Sequence, residues 1–478
     1  MAFRHGRLRK ELTMDAAEYT SSLRVDLEIV NAALVINAVH LKQLYRLGYL
    51  DKSSLVAALT ALRELMRNPP PMTDFSLEDV HIVIEEELRR RVPLAADMLS
   101  LGKSRNDTVS AAIRIRVRER GCELIKDLLD LIVDVVEVSE REASTIFPVY
   151  THMQPAMPAT YGFVLSSYAS RLIGAIRSLL RSISDLNRSP LGAAAIAGSS
   201  LPLDRRWVAE ELGFEGLVTN ALEATSSRDF LIDVLGSLLR IGVIFSDVGE
   251  DLVVLSSAEF GLIEMDESLS STSSIMPNKK NPVVAEVMRT KVAEVVAELV
   301  RVASIISRRF GGYNLDLQQS TESTWRAFNS IESTVPMIRA LIRTTKVNRE
   351  KSLYACRPPI GMVELANKLV SDHKVPFRTA HVICGEISRA LERGELEDSE
   401  LESLMKRHGL AIKLTRDEIH EILDPVRVVE SYRTEGSSNP STVRDMARMT
   451  LREVEELRRA VEEKLEAFMS IYERAFSI

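Results

Sequence analysis

Two stretches of this chain, Cys122 to Phe147 and Val283 to Phe310, run for 26 and 28 residues without a glycine or a proline. Nothing in either breaks an α-helix, so each predicts a rod of roughly 40 Å at about 1.5 Å per residue. In the first, Leu124, Leu128, Leu131, Val135 and Val138 recur at steps of four and three, while Ile125, Leu129, Ile132 and Val136 fill the adjoining stripe. An apolar face that broad has to be covered on several sides, as inside a helical bundle. With 21 glycines and 17 prolines in 478 residues, helix breakers are scarce throughout, and no stretch alternates long enough to predict a sheet. The expected fold class is all-α, with long central helices whose apolar faces call for further copies of the chain.

Composition predicts three helical domains. Residues 1–108 carry shorter helices broken at Asn68 to Met72, residues 109–355 carry the rods, and residues 356–478 follow Pro358 and Pro359 and end in a charged helix from Thr442. The net charge of -7 offers no basic face to nucleic acid. Cys122, Cys356 and Cys384 stand singly, so neither a disulfide framework nor a metal-ligand spacing is indicated. The basic N-terminus lacks a following apolar segment and no apolar run is long enough to span a membrane, so a cytoplasmic location is expected.

Chemistry concentrates in Ser273 to Pro282, SSIMPNKKNP. Two hydroxyls, two lysines, an amide and two prolines between helical stretches make a loop built to meet an anion. Ser273 and Ser274 supply hydroxyl and N–H donors, Lys279 and Lys280 positive charge, and Asn281 a two-donor amide, which together suit a carboxylate gaining negative charge. Pro282 is placed to open the next helix. Elsewhere, Ser104 to Asp107 reads SRND, offering either a guanidinium for a carboxylate or a helix N-cap. His152 lies in YTHMQP, a polar setting unlike an apolar core, whereas His40, His81 and His381 sit in helical segments and read as packing or capping residues. ATSSRDF ends at Phe230 and YNLDLQ at Gln318. EDVH at Glu78 to His81, PLGAAAIAG at Pro190 to Gly198, VPFRTAH at Val375 to His381, and Ser22 with Asp26 complete an ordered series spanning nearly the whole chain.

The loop resembles the signature GSSxMPxKxNP of the aspartase, fumarase and argininosuccinate lyase superfamily, with Thr272 in place of the leading glycine. SRND, ATSSRDF and YNLDLQ resemble argininosuccinate lyases in particular. The resemblance implies reversible elimination of argininosuccinate to arginine and fumarate, in a homotetramer whose active sites draw on three subunits. It implies Ser273 as base, with Lys279 and Asn281 stabilising the carbanion, and His152, oriented by Glu286, serving the leaving nitrogen. An alternative assignment exchanges the roles of Ser273 and His152. It further places Arg105, Asn106, Thr151, Arg228, Ser274, Tyr313, Gln318, Asn37 and Thr321 at the substrate.

Some positions depart from the family. Thr321 stands where a lysine is expected, Ala33 and Asn37 replace an aspartate and a serine, Glu223 replaces an aspartate, and Asn278 replaces a glutamine. The missing lysine weakens the expected grip on the arginine end of the substrate, and Arg326 is a candidate replacement. The runner-up readings are a fumarate-releasing lyase for another N-substituted aspartate and a lens-type structural homologue.

Overall fold

The computed structural model describes residues 10, 12–307 and 310–477, which are mostly helical with three two-stranded sheets. The basic amino-terminal residues up to 9, and Arg308 and Arg309 near the end of the second expected rod, lie outside the described residues.

The helices that position the site are α1 (Val30–Arg46), α2 (Val80–Arg91), α3 (Arg105–Arg141), α4 (Tyr161–Leu186), α5 (Phe230–Ser256), α6 (Val283–Met288), α7 (Lys291–Ile306) and α8 (Gln319–Glu332). α3 starts 17 residues before Cys122 because SRND is a strong start signal. Ser104 caps the helix, and the Asp107 carboxylate returns to the Ser104 N–H at 3.1 Å, closing a capping box. The helix stops at Arg141, short of Phe147, and the chain then turns into strand β1 (Ile146–Thr151), which pairs antiparallel with β2 (Gln154–Thr160). This hairpin corrects the expectation of no sheet. Pro148, Pro155 and Pro158 lie within it, and prolines ordinarily argue against a strand.

The second expected rod is also interrupted, at Arg289 and Thr290, between α6 and α7. Its cause is packing. Gly249 of α5 brings backbone so close that an added Cβ would lie 3.0 Å from the Ala285 carbonyl and 3.1 Å from Arg289. The last turn of α6 tightens there, with Thr290 N–H on Val287 O.

α3 is the axis of the main core, covered by α4, by α1, by Val335–Thr344 and by the last long helix, Pro440–Met469. That last contact departs from the expected grouping of residues 356–478. Val443, Ala447, Val454, Val461 and Phe468 recur at helical spacing along one buried stripe, and the helix lays it on α3 and α4. A separate cluster from Leu365 to Leu423 is formed by α9 (Met362–His373), α10 (Phe377–Arg393), Asp398–Arg407 and Arg416–Ile422.

Candidate active site

The hairpin between β1 and β2 turns through His152 and Met153, both with positive φ, 54° and 60°. Thr151 pairs directly with Gln154, so this is a two-residue turn, for which Asn-Gly is the usual choice. A side chain in the left-handed region costs roughly 1–2 kcal/mol per residue, and strain of this kind concentrates at functional sites. Thr151, His152 and Met153 are exposed at the tip. Met153→Gly is expected to stabilise the fold by about 1 kcal/mol in urea unfolding; an unchanged or lowered stability would show that the turn carries no such strain.

The signature loop runs from Ser270 to Pro282, closed at its base by the pair Ser271 and Asn281. Asn281 N–H donates to Ser271 O at 2.7 Å and Ser271 N–H to Asn281 O at 2.9 Å. Inside it, Ser273 Oγ accepts from the backbone N–H groups of Ile275 (3.4 Å) and Met276 (3.2 Å). Two donors aimed at one hydroxyl oxygen favour its ionised form, as a basic serine requires. Ser274 and Lys279 are exposed, and Lys280 pairs with Glu264 at 2.9 Å. α6 begins just after Pro282, and Glu286 lies half-buried in its first turn.

A third group gathers distant segments. Ser22 Oγ donates to Asp26 at 2.7 Å, Val80 N–H donates to the same carboxylate at 3.1 Å, and Gln318 Nε2 reaches Ser22 Oγ at 3.4 Å. Asp79 caps α2 through the Ile82 N–H. Arg105 pairs with Asp79 at 2.7 Å and with Glu78 at 2.6 Å. Arg105, expected at the substrate, thereby also clamps the EDVH turn to the start of α3. Asp107 is equally committed, accepting from Gly192 N–H (3.1 Å) and Ala194 N–H (3.0 Å), which explains the PLGAAAIAG segment. Asn106 Nδ2 donates to Ala195 O at 2.8 Å. Arg228 is fully buried and donates to the Ser227 carbonyl at 2.7 Å. Tyr313 lies within electrostatic reach of Arg228, Arg105, Asp79 and Asp26; its phenol is pushed up by burial, and its hydroxyl has no hydrogen-bond partner among the described residues.

Burial pushes the Asp26 carboxyl up to about 7, against the hydrogen bond from Ser22. Between the ordinary carboxylate value near 4 and about 7, the folded state keeps a proton that the unfolded chain has released, so stability falls as pH rises through that window. Asp26→Asn removes this dependence. Its stability relative to the parent is expected to rise from pH 4 to pH 7 by on the order of a few kcal/mol and then level off. A pH-independent difference in urea midpoints would contradict the assignment.

Asn37 is buried in α1, where it accepts from Lys103. Thr321 is buried in the first turn of α8. Arg326, the candidate replacement for the missing lysine, pairs with Glu322 and lies 3.7 Å from Glu298. Residues outside the expected site set also meet here: Glu85, Lys103 and His81, the last read as packing or capping and here buried at its ring nitrogens while lining a cavity with Arg105. Lys103 adjoins SRND and His81 closes EDVH, so the only sequence signal for them is adjacency. Among the described residues of one chain, no hydrogen bond or ion pair joins the hairpin tip, the signature loop and the Arg105 cluster to one another, nor His152 to Glu286.

This bundle of long helices with its serine loop is that of a lyase by sequence: the family model described as lyase matches residues 17–297. A second, described as argininosuccinate lyase C-terminal, matches residues 362–430. An argininosuccinate lyase from Methanocaldococcus jannaschii is 32% identical over 475 residues, covering 98% of both chains. One from Methanothermobacter thermautotrophicus is 34% identical, covering 93% of this chain and 97% of the relative. The chain belongs to the argininosuccinate lyase family. Its fold is that of an EDDS lyase solved with formate (TM-score 0.84, 23% identity, 99% and 97% of the two chains) and of the class II fumarase from Schistosoma mansoni (TM-score 0.70, 18% identity, 84% and 90%).

Proposed function

We propose that this chain is a carbon–nitrogen lyase that reversibly cleaves argininosuccinate to arginine and fumarate in arginine biosynthesis. The observation that carries the mechanism is the pair of backbone N–H groups on Ser273 Oγ. Ser273 takes the proton from the carbon beside a succinyl carboxylate. The resulting charge spreads into that carboxylate, where Lys279 and Asn281 stabilise it electrostatically. The carbon–nitrogen bond on the neighbouring carbon then breaks, and His152, or a water it holds, protonates the departing guanidino nitrogen. Glu286 orients His152. Arg105 and Asp107 act as positioning residues for the substrate groups around Asn106, Thr151, Arg228, Ser274, Tyr313 and Gln318.

Three domains with boundaries near 108 and 355, the last returning its final helix to the central bundle, assemble as a homotetramer in this reading. Val243 of α5, Val287 of α6 and Val296 and Val300 of α7 are exposed in the single chain, a ready-made apolar face for other copies. Hairpin tip, signature loop and Arg105 cluster, joined by no hydrogen bond or ion pair among the described residues of one chain, then meet across subunits. Among the described residues no helix is long and apolar enough to cross a membrane, and the reading places the enzyme in the cytoplasm.

Fumarate absorbance during incubation with argininosuccinate tests the reaction; turnover only on another N-substituted aspartate would replace the substrate. Sedimentation tests the assembly, and a stable, fully active monomer would refute it.

A further inference from the structure

The segment Pro190 to Gly198, PLGAAAIAG, borders SRND but has no part in the proposed reaction as described so far. Its backbone is held at several points. Gly198 N–H donates to Ala193 O at 3.0 Å, Gly192 and Ala194 N–H donate to the buried Asp107 carboxylate, and Ala194 is kept at a φ of 50°, which costs any residue with a side chain. Ala193 is packed with Val218 and Ala224. From this fixed base the next two residues reach neighbouring motifs. Ala195 O accepts from Asn106 Nδ2 at 2.8 Å. The Ile196 side chain lies on the backbone of Gly312, so close that a Cβ added there would stand 2.2 Å from Ile196 Cδ1, 3.1 Å from its Cγ1 and 3.5 Å from Leu222 Cδ1. The turn it presses on is tied as well, with Asn314 Nδ2 donating to Gly312 O at 3.2 Å.

Tyr313 follows Gly312 directly, and its buried hydroxyl has no hydrogen-bond partner among the described residues. Leaving such a group unpaired is costly, and a polar group of the substrate would pair it. Because Gly312 has no side chain, Ile196 meets main chain, and a displacement at Gly312 passes straight to Tyr313. One short loop therefore fixes two residues expected at the substrate, Asn106 through Ala195 O and Tyr313 through Ile196. We infer that Ile196 is a positioning residue for the proposed reaction, wedging the Gly312–Tyr313 backbone so that the Tyr313 hydroxyl stands ready for a polar group of the substrate. The inference rests on that reaction. Ile196 remains 38% exposed, so truncating it uncovers less buried area than truncating a core residue, and the fold is expected to survive.

Parent turnover of argininosuccinate, read by fumarate absorbance, is measured first, and its absence would fail the functional reading alone. Given turnover, Ile196→Ala is expected to raise KM by roughly tenfold with kcat within about threefold, because a misplaced binding group loses uniform binding. Ile196→Leu, which restores the volume, is expected to bring KM back to within about threefold of the parent. Tyr313→Phe supplies the deciding comparison. It is expected to raise KM by a similar factor, and adding Ile196→Ala to it is expected to change KM by no more than about twofold, since a residue that acts through the hydroxyl then has nothing left to position. Effects that multiply in the double variant would overturn the inference, as would an unchanged KM in either single variant. A smaller sedimenting species for Ile196→Ala than for the parent would overturn it too, by assigning Ile196 to a contact between copies. Ile196→Val, which removes Cδ1 alone, repeats the comparison if the alanine variant does not fold.

Discussion

Ser273→Ala loses turnover of argininosuccinate by at least about 10³-fold, while substrate binding stays within a few-fold of the parent. The reason lies in the loop. Removing Oγ deletes the atom on which the Ile275 and Met276 N–H groups converge, and leaves both donors exposed to water, which satisfies them. The loop itself persists, because the paired backbones of Ser271 and Asn281 and the start of α6 hold it. An effect confined to proton transfer lowers kcat and kcat/KM together. Single-turnover rates and equilibrium binding of an unreactive succinate analogue separate the two quantities. A kcat within tenfold of the parent would remove Ser273 as the base and leave that role to His152.

Gly162→Ala is expected to have the largest effect on the fold, about 3 kcal/mol or more of destabilisation. Gly162 stands in the first turn of α4, where that helix meets the end of α3 backbone to backbone. A Cβ there would lie 2.2 Å from the Ser139 carbonyl and 2.9 Å from the Ala143 backbone, and no side-chain rotation relieves a clash with main chain. The same contact is stitched by Gly162 N–H on Glu142 O (3.1 Å) and by Ser139 Oγ on Gly162 O (2.6 Å). β2 runs directly into α4, so a shift at Gly162 is passed along the hairpin to His152, and turnover falls with stability. Gly385→Ala in α10, where an added Cβ meets nothing within 4 Å, is the control and is expected to be neutral or mildly stabilising. Equal melting temperatures for the two variants would show that α3 and α4 are not packed as described.

The elements of the candidate site were legible where the signal is local. The serine loop, its closing proline and the hairpin histidine are contiguous motifs, and Pro282 is displaced by only one position from its expected place in the helix. Roles that depend on a distant partner were not legible. SRND allowed both a substrate clamp and a helix cap; the structure makes Ser104 and Asp107 the cap and turns Arg105 onto Glu78 and Asp79, which lie more than twenty residues earlier in the chain. Asp26 gave no sign in the sequence of its raised carboxyl, because the burial that causes it comes from segments remote in the chain.

By itself, the sequence determined the helical class and the place of the serine loop between helices, since periodicity and turn residues act over a few positions. Tertiary structure decided the rest. It ended α3 at Arg141, broke the second rod at Thr290 where Gly249 presses on it, formed a hairpin through three prolines, and returned the last long helix to α3. Each of these depends on which surfaces meet, and local propensity yields where burying an apolar stripe or bringing two backbones together is worth more than the helical or extended preference of a few residues.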